Sequence, residues 1–315
     1  MKRKRWMIPL AALTAWTVGG ALGTTPPKPQ TARADVPVTI GAASKRTEFF
    51  PAMTGSKPIF VLALGSDSRS NEPDKVAHGH SDVMQLIGIN PAQHRATILG
   101  FHRDTWVQIP GHDKTRLNTA MVEGGPLLTV KTFESVTHIP IDYYILTSFK
   151  GWTDMVNQIG GLFVNIPYPE HDPYSKAFYK PGYQRLNGHN AQAFARDRHD
   201  APDGVYSRTL NQSRELQAAQ VGFQQQFEKD PVALFKWVAA GLPDVQTDLP
   251  FSTLMSLALT ALSIPPKNVN RVLVPAHSGF EGSASVAFLT QPKADQTFAD
   301  FRKDGLLNYS TPDPG

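Results

Sequence analysis

The stretch IFVLALGSDS, residues 59–68, decides how the chain is read. Six consecutive apolar residues followed by Gly65-Ser66-Asp67-Ser68 describe a buried strand that feeds a loop. Two more apolar runs follow, at 83–89 and 96–101. Asn90-Pro91 is the turn signal between them, so they form a hairpin. A short fourth strand over 106–109 is closed by Pro110-Gly111.

Helices then alternate with strands. A helix is expected over 126–136 and a strand over 143–146. Phe149, Trp152, Met155, Val156 and Ile159 recur at helical spacing, and Gly160-Gly161 stops that helix. A strand over 162–166 precedes a polar, aromatic loop at 172–183. Asn187 caps a helix running to about 195, and a long helix covers 207–228. Beyond Pro231 the pattern gives helices at 231–240 and 252–263, strands at 269–275 and 284–289, and a last helix at 293–304. This order predicts an α/β (α+β) fold in layers, a sheet flanked by helices.

The N-terminus is different. Lys2 to Arg5 are basic and residues 6–23 carry no charge. Ala32-Arg33-Ala34 offers small residues in the pattern of a signal-peptidase site. Residues 1–34 are therefore a signal peptide or a single N-terminal membrane anchor. Either way the body is expected outside the membrane, as an exported bacterial protein on the extracytoplasmic face or in the wall. Residues 35–57 read as a flexible linker, with at most a short strand at 38–40, and the body begins at Pro58.

Composition narrows the chemistry. The chain of 315 residues has no cysteine, which excludes zinc–thiolate sites, disulfides and a cysteine nucleophile. Six of its 31 lysines and arginines precede Asp35, leaving 25 against 27 acidic residues, a net charge of −2 on the body. Such a body has no electrostatic basis for non-specific nucleic-acid binding. No zinc-hydrolase HExxH, G-x-S-x-G elbow or Gly-rich phosphate loop occurs.

Seven charged residues stand where a core makes charge costly: Asp67, Asp82, Arg103, Asp104, Arg196, Arg198 and Arg208. Arg208 and Gln212 share the long helix's apolar stripe with Leu216, Ala219, Phe223 and Phe227. An arginine there needs an anion, whether a structural carboxylate or a ligand. Arg196 and Arg198 share a face if 194–198 is extended, and guanidinium forks suit phosphate oxygens. Asp67, Arg103 and Asp104 follow strand ends, where open sheets place ligands. Asp67 and Asp82, if neighbours, could hold a divalent cation with phosphate oxygens; turn and capping roles compete.

Taken in order, these segments resemble the LytR-CpsA-Psr family of cell-envelope phosphotransferases. The resemblance is carried by LALGSDSRS at 62–70, Ser81-Asp82-Val83-Met84, Arg103-Asp104-Thr105-Trp106-Val107 with Ile109-Pro110-Gly111, and Leu117-Asn118-Thr119-Ala120. It continues through Gly124-Gly125-Pro126, Ile139-Pro140-Ile141-Asp142-Tyr143-Tyr144, Gly160-Gly161-Leu162, Leu186-Asn187-Gly188, residues 191–198, and Arg208 with Gln212. It covers 58–228, the core of a domain that 229–315 continues.

The resemblance implies a central mixed sheet enclosing a hydrophobic polyprenyl-lipid pocket. It also implies transfer of a glycopolymer (teichoic acid, capsule or arabinogalactan) from a polyprenyl pyrophosphate carrier to a peptidoglycan hydroxyl, at the membrane surface. By resemblance, Asp67 and Asp82 match magnesium (or manganese) ligands. Arg103, Arg196, Arg198, Arg208 and Gln212 match pyrophosphate-binding positions, Arg103 and Arg208 being catalytic. Asp104 matches an acid that orients Arg103 or assists deprotonation. His80 and Asn118 complete the expected substrate contacts. The chain departs from the pattern at His80, where an arginine is common, and at His102, where proline is common. Two alternatives stay open: a polyprenyl-pyrophosphate hydrolase, and a non-catalytic carrier binder or envelope regulator.

Overall fold

The strand at the start of the body runs from Ile59 to Ser66 and lies in the middle of a six-stranded sheet in the computed structural model of the chain. The structure describes residues 51–198 and 204–312, within one compact unit spanning Glu48–Gly315. The leader or anchor over 1–34, most of the linker, and the strand expected at 38–40 lie outside the described residues.

In chain order the elements are β1 (Ile59–Ser66), α1 (Pro73–Ala77), β2 (Ser81–Asn90), β3 (Arg95–Gly100), β4 (Trp106–Gln108), β5 (Lys114–Arg116), α2 (Thr119–Thr137), β6 (Tyr143–Ser148) and α3 (Phe149–Gln158). Next come β7 (Leu162–Ile166), β8 (Glu170–Asp172), β9 (Ala177–Tyr179), β10 (Gly182–Leu186), α4 (Gly188–Phe194), α5 (Val205–Lys229) and α6 (Ala233–Gly241). The last are β11 (Val245–Thr247), α7 (Phe251–Ser263), β12 (Val269–Leu273), β13 (Ala276–Glu281), β14 (Ala284–Leu289) and α8 (Lys293–Asp304).

The central sheet has the order β11-β6-β1-β2-β3-β12. β1–β6 and β3–β12 pair in parallel and the other neighbours are antiparallel, so the sheet is mixed. One face carries the cross-strand row Tyr144, Leu62, Leu86, Leu99 and Val272. Phe133 of α2 and Phe298 and Phe301 of α8 pack over this face. The Phe101 ring sits 4.7 Å from Phe133 and 5.8 Å from Phe298. Gly88 is needed there, because a Cβ would lie 2.6 Å from the Phe301 ring. The other face meets α5 and α7, and is where the cavities described below open. A satellite core of β7, β9, β10, α3 and α4 covers its end.

Several expectations need correction. Residues 172–183 are not a loop: β8 and β9 form a hairpin, and β10 pairs with β7. These strands are too short to show as apolar runs, although β8 and β9 each alternate buried and exposed residues. Residues 194–198 are not extended. Phe194 ends α4, and the Arg196 and Asp197 amides donate to the Ala193 and Phe194 carbonyls in a turn. Helix α2 begins at Thr119, earlier than expected, and is broken at Gly125, whose φ of 66° is accessible to glycine. The end of the linker is tied down: the Met53 amide donates to Thr260 Oγ1 at 2.7 Å.

Candidate active site

Three strand ends and one helix start bring distant residues together. Asp82 opens β2, Asp67 follows β1, Arg103 and Asp104 follow β3, and Arg208 lies in the first turn of α5. Asp82 is the centre of the arrangement. Arg208 Nη2 lies 2.7 Å from Asp82 Oδ2, and Arg103 Nη1 pairs with Asp82 Oδ1. Arg208 also donates to the Asp82 carbonyl at 3.3 Å, and Gln212 to the same carbonyl at 3.1 Å. Gln212 reaches Ala195 as well, at 3.2 Å, and so ties α5 to the end of α4. Burial alone would raise the Asp82 carboxyl, but the charges of Arg208 and Arg103 outweigh it and hold it below the usual range. Burial alone would lower Arg103, yet Asp82 and Asp104 raise it above its ordinary value.

Asp82, Arg103 and Arg208 line a small charged pocket. Its wall contains Asp82, Arg103, Arg196, Arg198 and Arg208 with Asp172, Tyr174 and Ser175. Four guanidiniums face two carboxylates, leaving a net positive hollow suited to a phosphate-rich anion. Arg196 is held over the Phe149 ring, 5.2 Å from its centroid.

Behind this pocket is an apolar cavity of about 860 Å³, its open mouth included. Ala63, Val83 and Ile145 form its sheet wall, Phe149, Trp152 and Met155 its α3 wall, and Leu216 its α5 wall. Arg196 and Arg208 belong to both compartments, so the charged pocket sits at the cavity's polar end. A second apolar cavity of about 880 Å³ lies between the sheet and α5 and α7 and shares Ile145 and Leu216 with the first. The α3 stripe is therefore mostly cavity lining; Val156 alone of its five residues is fully buried.

The remaining candidates fall around the pocket. Asp104 lies 3.4 Å from Arg103 Nε and 3.7 Å from Arg116, the geometry of a group that orients Arg103. Asp67 stands beside His80: its amide donates to the His80 carbonyl at 2.9 Å, and its Oδ1 accepts the His80 amide at 3.0 Å. Neither Asp67 nor His80 is part of the charged pocket's wall. Asn118 is also off that wall; it is buried and its amide donates to the Arg103 carbonyl at 3.0 Å, behind the site. His102 is buried beside Arg103, with neither ring nitrogen hydrogen-bonded. Burial, against the pull of Asp104, holds its pKa down to about 4, so it adds no positive charge at neutral pH.

The acids fit a cation only in part. Among the described residues no group of three or more His, Cys, Asp or Glu side chains is placed to hold a metal. Mg²⁺ needs no such cage, since it commonly takes one or two carboxylates and completes its shell with phosphates and water. Asp67 and Asp82 stand at adjoining ends of paired strands, and Asp82 keeps lone pairs beyond those its two arginines use. They suit a cation that arrives with a phosphate.

Sequence reasoning missed Asp172, Tyr174 and Ser175. Their signal was the alternation across the β8–β9 hairpin, hidden in a segment read as loop.

A pocket of four arginines and two aspartates thus adjoins an apolar cavity and shares Arg196 and Arg208 with it. The LytR_cpsA_psr family model matches residues 30–303, and the chain belongs to that family. It is 32% identical over 170 residues to the polyisoprenyl-teichoic acid–peptidoglycan teichoic acid transferase TagV of Bacillus subtilis, covering 51% of this chain and 43% of TagV. It is 30% identical over 210 residues to the corresponding transferase TagU of Enterococcus faecalis, covering 66% of this chain and 67% of TagU. The chain spans less than half the length of several curated relatives it matches. A structure of TagT bound to LI-WTA superposes with a TM-score of 0.65 at 23% identity, over 79% of this chain and 92% of that one. The fold is thus that of the family's solved domains, a mixed sheet between helices.

Proposed function

We propose that this chain is a phosphotransferase that moves a glycopolymer from a polyprenyl pyrophosphate carrier onto peptidoglycan. The observation that carries the reading is the sharing of Arg196 and Arg208 between the charged pocket and the apolar cavity. A polyprenyl pyrophosphate has a long hydrocarbon tail joined directly to a diphosphate, and these two compartments are joined in the same way. The names of TagV and TagU, and the LI-WTA bound to TagT, support the substrate class.

In the proposed reaction an acceptor hydroxyl of peptidoglycan attacks the sugar-side phosphorus. A new P–O bond forms to the acceptor oxygen while the bond to the bridging oxygen breaks. Polyprenyl phosphate leaves with the electron pair, and the hydroxyl proton passes to a base or to water. Arg103, Arg196, Arg198 and Arg208 offset charge on the transferring and leaving phosphates. Asp82 orients Arg103 and Arg208, Asp104 orients Arg103, and Gln212 holds the Asp82 and Ala195 carbonyls in place. When bound, Mg²⁺ or Mn²⁺, held by Asp67 and Asp82, would add further neutralisation of phosphate oxygens. The body works outside the cytoplasm, against the membrane that supplies the carrier.

The test is turnover of a labelled polyprenyl pyrophosphate glycan by the purified protein with and without peptidoglycan acceptor. A joined phosphodiester product, lost in Arg103→Ala, supports transfer. Release of the carrier at the same rate without acceptor, with no joined product, points to hydrolysis and defeats the proposal.

A further inference from the structure

A third compartment adjoins the other two. It is an open groove of about 950 Å³ bounded by α3, α4, the β8–β9 turn and the loop after β1. It shares Tyr174, Ser175 and Arg196 with the charged pocket, and Phe149, Gln192 and Arg196 with the apolar cavity. All three spaces therefore meet at Arg196. One is oily, one sets four arginines against two aspartates, and this one has no acid on its wall.

Its charge is one-sided. Arg69, Lys150, Lys176 and Arg196 line it, and no aspartate or glutamate does. Lys150 pairs with Asp154. Among the described residues Arg69 and Lys176 have no ion-pair partner. Lys176 is at the β8–β9 turn with φ 66°, a conformation a lysine rarely adopts. Three cations without a paired acid among the described residues, Arg69, Lys176 and Arg196, are unexpected in a body whose net charge is −2. Tyr174, 78% exposed, adds a flat apolar face of the kind that sugar rings stack on.

A neutral glycan would be met by hydroxyls, amides and aromatic faces, and would gain little from unpaired cations. A polymer with phosphate or carboxylate groups would be drawn into a cleft lined by a single sign of charge. We infer that this groove holds the first repeating units of the donor glycopolymer and selects an anionic polymer over a neutral one. Its assignment to the donor rests on the phosphotransferase reading; its preference for a polyanion does not.

The test uses the full chain and a soluble probe, a glycerol-phosphate oligomer of about six units, long enough to span several cations. A neutral galactan oligomer of equal length and a disaccharide-peptide fragment of peptidoglycan are the controls. Calorimetry should show binding of the anionic oligomer alone, weakening at least roughly tenfold from low to molar salt. Arg69→Glu with Lys176→Glu should weaken it roughly tenfold or more, since both side chains are exposed rim charges. The same double variant should keep its melting temperature and its affinity for a polyprenyl pyrophosphate monosaccharide. Equal binding of the neutral oligomer, or unchanged binding of the anionic one by the double variant, overturns the inference. So does a peptidoglycan fragment that binds only when Arg69 and Lys176 are intact, which assigns the groove to the acceptor. If the native protein does not bind the polyprenyl pyrophosphate monosaccharide, the phosphotransferase reading falls, while the oligomer result still decides the charge preference of the groove.

Discussion

The two faces of the central sheet are built from similar residues and end in opposite states. On one face Leu62, Leu86, Leu99 and Val272 form a row at 0% exposure under α2 and α8. On the other, Val61, Ile89 and Ile98 are buried as well, but Ala63, Val83, Ile87 and Ile145 stay half-buried, because they line cavities. The packed face supplies stability. The hollow face forgoes part of that stability, since its residues lack neighbours on one side. The proposed carrier needs space kept open beside Arg196 and Arg208; a purely structural sheet does not.

The difference can be broken by substitution. The largest effect is expected on the packed face: Leu62→Ala should cost about 3 kcal/mol of stability, read by denaturant unfolding, because it leaves a void that close packing cannot refill. Ile145→Ala, on the hollow face, should cost only about 1 kcal/mol, since it enlarges a cavity that already exists. Equal costs at the two sites would mean that the hollow face is ordinary core. Ala63→Phe should fill the cavity, change stability by less than about 1 kcal/mol and abolish carrier binding in a lipid-binding assay.

Only part of this was legible in the sequence. The apolar runs of β1, β2 and β3 and the capping residue Asn187 announced their elements directly. Arg208 and Gln212 were visible because a charged and a polar residue on an apolar helical stripe need a reason. Hollow and solid faces were not distinguishable, since an apolar residue lining a cavity and one filling a core follow the same period. The three-residue strands β8 and β9 escaped notice, and with them Asp172, Tyr174 and Ser175. Arg196 and Arg198 both line the pocket, but a turn, not the extended segment expected, carries them there.

A separate, pH-dependent effect belongs to the buried carboxyls Glu170 and Glu215. Burial, with the Asp197 charge beside it, raises Glu170 to about 9. The fold therefore holds a proton that the unfolded chain has released. The stability this contributes is whole below the ordinary value of 4.5 and is lost as pH rises toward about 9. Melting temperature should fall over that window, and Glu170→Gln should flatten the fall, leaving the share of Glu215, which burial raises in the same direction. An unchanged slope in the variant would show that Glu170 is already ionised in the fold.

The most direct measurement is a crystal structure of the protein with a polyprenyl pyrophosphate. The account predicts the diphosphate among Arg103, Arg196, Arg198 and Arg208, with the first isoprene units between Ile145 and Leu216. A diphosphate bound away from those arginines, or a tail lying on the surface with the cavity still empty, would contradict it.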